Sequence, residues 1–193
     1  EGISAAGAIL HYLEYTEHRD ISHIASIARI DRDEYVWIDK FSIRNLELFA
    51  SNSGCDRSGF VGVIDRTLSP MGGRMMKRWV AMPLLSVDRI NRRLDVVEYF
   101  TKHKSQTEDL RDQLSEVGDL ERIGSRIAAR RVLPREIVQL HNSLDAIASM
   151  REQLLGSDNT QLAQLAESID TMSEVRERIA TQVYPDPHNN NIL

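Results

Sequence analysis

Cysteine is almost missing: Cys55 stands alone among 193 residues. No internal disulfide can form, and a reducing compartment such as the cytoplasm is the simplest setting. No stretch approaches the roughly 18 consecutive apolar residues of a membrane span. No basic-then-apolar segment opens the chain. No fixed-period repeat is present, which excludes a solenoid. Proline and glycine are scarce, at five and ten residues, while leucine, isoleucine, alanine, glutamate and arginine dominate. That balance favours an α-rich domain. The length suits one sizeable core and leaves little room for a second. The chain opens at Glu1-Gly2 inside a small-residue helix pattern and stops just after Tyr184-Pro185-Asp186-Pro187. The expectation is a piece of a longer protein.

Net charge is −5 but unevenly spread. From Arg66 to Arg93 seven basic residues face only Asp88, and from Arg122 to Arg135 five face none. A polarised surface of this kind leaves two openings, contact with phosphates or docking onto an acidic neighbour.

The pattern turns on Asp65 to Leu84. A break, Ser69-Pro70-Met71-Gly72-Gly73, leads into Arg74-Met75-Met76-Lys77-Arg78-Trp79-Val80 and closes at Met82-Pro83. Proline and glycine place a bend or a helix start at the break. On the helix that follows, Arg74, Lys77 and Arg78 share one face, and Met75, Met76, Trp79 and Met82 another.

Before this stretch, Ile9, Tyr12, Leu13 and Thr16 stripe a helix ending near His18. Ile24 to Ile30 and Glu34 to Ile38 predict a short β-hairpin. Asp39 is placed to cap a helix from Phe41 to Phe49, and Ala50 to Gly59 is a loop. Phe60, Val61, Ile64 and Leu68 form a short apolar face.

After it, Ser86 caps a helix with Val87, Ile90, Leu94 and Val97 facing inward. Ser105 and Glu108 offer a capping box for Leu110, Leu114 and Val117. Leu120, Ile123 and Ile127 follow Gly118. Pro134 suits the first turn of a helix striped by Ile137, Leu140, Leu144, Ile147 and Leu154. Gly156-Ser157-Asp158-Asn159 ends that helix and caps a second, with Leu162, Leu165, Ile169, Met172, Ile179 and Val183. These last two patterns, about 20 residues each, predict a long antiparallel pair.

Each candidate for chemistry has a plainer reading. Met71-Gly72-Gly73-Arg74-Met75 supplies glycines but no lysine or hydroxyl in place for a phosphate loop, so a helix-opening bend is favoured. His11, Glu14 and His18 lack zinc-site spacing and a further ligand. The remaining histidines, His23, His103, His141 and His188, form no catalytic arrangement. Cys55 has only Arg57 as a cationic neighbour in sequence. The glutamates from Glu167 to Glu177 read as a solvated helix face. The basic group Arg74, Lys77, Arg78, Arg89, Arg92 and Arg93 is the strongest candidate. Phosphate contacts by these residues would read no sequence. Pairing with acidic helices such as Asp109 to Glu121, or with another domain, is preferred, because Trp79 alone supplies the aromatic interleaving of a single-strand groove.

The run Leu68-Ser69-Pro70-Met71-Gly72-Gly73-Arg74-Met75-Met76-Lys77-Arg78-Trp79, then Pro83-Leu84, resembles the core-domain signature of the MutS family of DNA mismatch-recognition proteins. The resemblance continues through Asp39, Arg44-Asn45-Leu46-Glu47-Leu48, Gly118-Asp119-Leu120-Glu121-Arg122-Ile123 and Pro134-Arg135, in the family's order. Met76 stands where family members often carry a bulky aliphatic residue, and the stretch Arg130-Arg131-Val132-Leu133 is not among those that carry the resemblance. The resemblance implies a partial core/lever domain, with an opening helix, hairpin and helix over 1–60, central helices over 60–134, a lever-like pair over 135–184 and a truncated tail over 185–193. The implied fold is predominantly all-α, with that pair and one small N-terminal hairpin.

It further implies a mechanical role without catalysis in this piece, joining the nucleotide-binding and DNA-gripping ends of a parent ATPase. ATP and magnesium would be bound elsewhere in that parent. The parent would bind mismatched duplex DNA, form a homodimer and recruit a MutL-like partner, with no membrane involved. Pro70, Gly72, Gly73, Arg74, Lys77, Arg78, Trp79 and Pro83 would carry the coupling, with Met75, Trp79 and Met82 packed and Arg74 and Arg78 fixing orientation. Arg89, Arg92 and Arg93 are candidate phosphate or interdomain contacts. The alternative is a helical interaction scaffold unrelated to DNA repair.

Overall fold

The computed structural model describes residues 2–16, 32–50 and 59–183. Among them the fold is helical, with ten α-helices and one 3-10 turn. Helix α1, Gly2–Tyr15, buries none of its side chains. The 3-10 turn Arg32–Glu34 leads to Tyr35, which makes an isolated antiparallel bridge to Leu84. Val36 N–H donates to Pro83 O at 2.8 Å, and Leu85 N–H donates to Glu34 O at 3.0 Å. The expected hairpin is therefore not supported. One of its halves, Ile24 to Ile30, lies outside the described residues. The other finds its backbone partners some 50 residues away, which no local alternation of side chains encodes.

Asp39 caps α2, Lys40–Asn45, as its position predicts: Oδ1 accepts from Phe41 N–H at 2.8 Å and Ser42 N–H at 2.9 Å. The helix stops short of Phe49. Glu47 adopts φ 49°, its N–H donates to Arg44 O, and Leu48 N–H reaches back to Ile43 O at 3.2 Å. That is a left-handed closing motif usually built with glycine. Gly59 opens α3, Phe60–Ile64, beneath that turn; a Cβ there would meet backbone atoms of Glu47, Phe49 and Ala50 at 2.8–2.9 Å.

Helix α4 is Pro70–Ala81 and α5 is Val87–Lys102. Ser86 caps α5, its Oγ accepting from Arg89 N–H. Its apolar stripe, however, faces outward: Val87, Leu94 and Val97 are 56–66% exposed. The buried side is a different one, carrying Tyr99 with Val96 and Phe100 beside it. Helix α6, Lys104–Glu116, starts from His103 without any side-chain cap, so the Ser105/Glu108 box does not form. Thr107 Oγ1 instead donates to Phe100 O and His103 O, fixing the tight turn between α5 and α6.

Helix α7, Leu120–Ala128, ends in a second left-handed closure at Arg130, φ 54°. Arg130 N–H donates to Ile127 O and Arg131 N–H to Arg126 O. Helix α8, Pro134–Leu155, is the long rod of the fold and buries Ser143, Leu144, Met150 and Leu154. Asn159 caps α9, Thr160–Ser168, by accepting from Gln161 and Leu162 N–H. The second long helix expected from periodicity is broken. It stops at Ser168 and resumes as α10, Ser173–Gln182, after Met172 takes φ 47°. Both α9 and α10 pack on α8. The main core lies where α5, α8 and α9 meet, at Tyr99, Leu154, Leu162 and Ala166, with Leu110 of α6 against it.

Candidate functional site

The bend that opens α4 is built by hydroxyl groups. Asp65 Oδ1 accepts from Thr67 N–H at 2.9 Å and Thr67 Oγ1–H at 2.7 Å. The Thr67 hydroxyl, more than any nearby charge, holds the Asp65 carboxyl below its ordinary range. Ser69 caps the helix by accepting from Gly72 N–H at 3.1 Å, and Pro70 takes the first turn, where its missing N–H costs nothing. Thr67 folds back over Gly72 and Gly73, so that a Cβ on Gly72 would lie 3.2 Å from Thr67 Cβ. The glycines thus serve close approach within a helix start.

From this start Arg74 reaches the turn between α6 and α7. Its Nη1 and Nη2 grip Asp119 Oδ2 and Oδ1 at 3.0 and 2.6 Å, and its Nε donates to Glu121 Oε2 at 2.8 Å. A two-point hold fixes direction as well as distance. Asp119 simultaneously caps α7 by accepting from Arg122 N–H at 3.2 Å. The Arg74 hydrogen bonds hold the Asp119 carboxyl below its ordinary range, and those to Asp119 and Glu121 raise the Arg74 guanidinium above its own.

The same turn is pinned to α8. Gly118 N–H donates to Ser143 Oγ at 2.9 Å, and Ser143 Oγ–H donates to Gln139 O at 2.7 Å. Ser143 is fully buried. Further along, Arg126 pairs with Glu136 at 2.8 Å, and Glu136 also accepts from Leu133 N–H. A cleft of about 610 Å³ lies between these elements, lined by Leu68, Pro70, Asp119, Arg122, Arg135 and Gln139 among others. One continuous set of polar contacts therefore runs from the α4 start through the α6–α7 turn into the rod.

The other end of α4 is tied differently. Pro83 O accepts from Val36 N–H. Arg89 pairs with Glu34 at 2.8 Å and lies 6.0 Å from the Tyr35 ring centroid. Hydrogen bonding to Glu34, more than any other contact, raises the Arg89 guanidinium. Arg93 stacks on Trp79 at 3.7 Å, and burial first, then Arg89, pulls its proton affinity down.

Met75 and Trp79, expected to be packed, instead remain 55% and 43% exposed, while Met82 is half-buried. Among the described residues, Arg93 of α5 lies over the Trp79 ring. Arg78 and Arg92 are exposed and make no ion pair among the described residues, so Arg78 does not fix orientation beside Arg74. Lys77 is exposed and acts on Asp65 only through its charge.

The sequence pointed to Asp109 to Glu121 as the acidic side of a pairing, and Arg74 uses Asp119 and Glu121. It did not point to Glu34 or to Ser143. Ser143 is a lone hydroxyl inside an apolar helix stripe, and no spacing marks it. Of the weaker candidates, His11 and Glu14 lie on α1, whereas His18, His23, Cys55 and His188 fall outside the described residues. No group of histidine, cysteine or carboxylate ligands that would suit a metal occurs among the described residues. Glu167, Glu174 and Glu177 are exposed, as a solvated face requires. No helix among the described residues is long and apolar enough to cross a membrane.

Fold and site together define a helical framework module, with elements joined in series by ion pairs and, among the described residues, apolar side chains of α4 and α5 left exposed. The family model described as MutS domain III matches residues 42–191, and the chain belongs to that family. It is 48% identical over 187 residues to the DNA mismatch repair protein MutS of Bacteroides thetaiotaomicron. It is 46% identical, over the same length, to those of Bacteroides fragilis and Phocaeicola vulgatus. Each comparison covers 96% of this chain and 21–22% of the relative. The chain thus spans about a fifth of the length of the curated relatives it matches.

Proposed function

We propose that this chain is the core and lever segment of a DNA mismatch repair protein, and that it relays movement between a nucleotide-binding end and a DNA-gripping end. The observation that carries this reading is the bridge from Arg74 to Asp119 and Glu121, continued through Gly118 and Ser143 into α8. A displacement of the α4 start then pushes a charge-assisted, two-point contact fixed to a rigid rod of 22 residues. Packed helices joined in this way have discrete arrangements and pass on rigid-body motion, whereas a loop would absorb it. The names of the relatives support the setting in mismatch repair.

On this reading the piece performs no reaction itself, and ATP, magnesium and mismatched duplex DNA are bound elsewhere in the parent. The parent is a cytoplasmic homodimer that recruits a MutL-like partner. The exposed apolar side chains Met75, Trp79, Val87, Leu94 and Val97 receive other parts of the parent, because large apolar groups gathered in water mark a contact surface.

The test is Arg74→Gln in the full-length parent. Mismatch binding without nucleotide and ATP turnover without DNA should both persist. The change in DNA affinity brought about by nucleotide, about 5–150-fold in typical couplings, should shrink towards none. A variant with coupling intact would overturn the relay.

A further inference from the structure

Residues 160–182 contain neither proline nor glycine, and apolar residues recur through them at Leu162, Leu165, Ile169, Met172 and Ile179. Nothing local commands a stop, yet the helix breaks between Ser168 and Ser173. At the break Met172 sits at φ 47° and ψ 48°, a region disfavoured for a side chain with a Cβ, while Asp170 Oδ1 accepts its N–H at 2.8 Å.

The two halves are attached by different forces. Helix α9 sinks Leu162 and Ala166 into the core, at 2% and 0% exposure, and Arg151 Nε donates to Ala166 O at 3.1 Å. Helix α10 buries no residue. Its ion pair to the bundle is Arg176, whose Nε and Nη2 lie 2.6 and 2.5 Å from Asp145 Oδ1 on α8, with His141 Nε2 at 3.3 Å from the other oxygen.

We propose that residues 169–172 are a hinge and that Arg176 on Asp145 is the latch holding α10 against α8, so that α10 swings free while α8 and α9 stay packed. An element without buried side chains lies at the low end of local stability. A left-handed non-glycine residue persists only where its surroundings impose it. Here the surroundings are the buried face of α9 on one side and the latch on the other. The hinge rests on this geometry alone and holds whether or not the Arg74 bridge relays movement.

Amide hydrogen exchange on the 193-residue chain tests it, comparing Asp145→Asn, Arg176→Gln and the double variant. Each single variant should speed exchange in α10 by about tenfold or more, with α8 and α9 unchanged, and the double variant should be no faster than either. Unchanged protection of α10, an equal rise in all helices, or additive effects in the double variant would each overturn the latch.

Discussion

Asp119 meets two demands with one carboxylate, since it caps α7 and receives Arg74. Both favour its charged form, so its folded pKa lies below the unfolded value of about 3.9. The stabilisation is therefore fully present above that value and is lost as the pH falls through the lower, folded one. Asp39, Asp65 and Glu98 are lowered too, by Ser42, Thr67 and Lys102 respectively. Urea midpoints measured from neutral to strongly acid pH should fall steeply on the acid side, and Asp119→Asn should flatten part of that fall; an unchanged slope would remove Asp119 from the linkage. Ser143 is the neutral counterpart. Ser143→Ala leaves the Gly118 N–H without its partner in a half-buried turn and should cost about 1–3 kcal/mol in denaturant unfolding. Trp79→Ala should cost less than the about 3–5 kcal/mol of a fully buried aromatic, because almost half of the residue is still in water.

At the scale of the element, glycines with the same chemistry do opposite things. Gly124 lies in α7 with nothing within 4 Å of a built Cβ, so Gly124→Ala should stabilise by about 0.5–1 kcal/mol through helix propensity alone. Gly59 has backbone of the preceding turn at 2.8–2.9 Å, and Gly59→Ala should destabilise by about 1–3 kcal/mol as that turn is forced aside. Thermal melts of the pair check both signs, and a gain at Gly59 would contradict the close approach. Helix caps were similarly uneven to read. Asp39, Ser86 and Asn159 announce their helices, since a side-chain oxygen next to free N–H groups acts over three residues, whereas Ser69 showed itself as a cap only in the structure. The ends at Glu47 and Arg130 gave no sign, because a left-handed closure without glycine is imposed by what the chain packs against next.

At the scale of the molecule, the buried apolar set among the described residues is small beside the large apolar side chains left exposed. Val87, Leu94 and Val97 form an exposed apolar face of α5, and Met75 and Trp79 are exposed on α4, as are the cations Arg78 and Arg92. In the isolated chain this face should drive association that grows with concentration, and Leu94→Glu should suppress it in sedimentation velocity runs. A monomer at all concentrations would show that the face is too broken by charge to hold a partner.

The helical class, most helix starts, the α8 stripe and the acidic region that receives Arg74 were set by the sequence alone, because periodicity, capping and charge act over a few residues. Tertiary structure decided which side of α5 is buried, where α9 stops, and that Glu34 to Val36 joins Pro83 to Leu85. Those outcomes depend on surfaces brought together from distant parts of the chain, and an amphipathic stripe says only that a face wants cover, never whether this chain is what covers it.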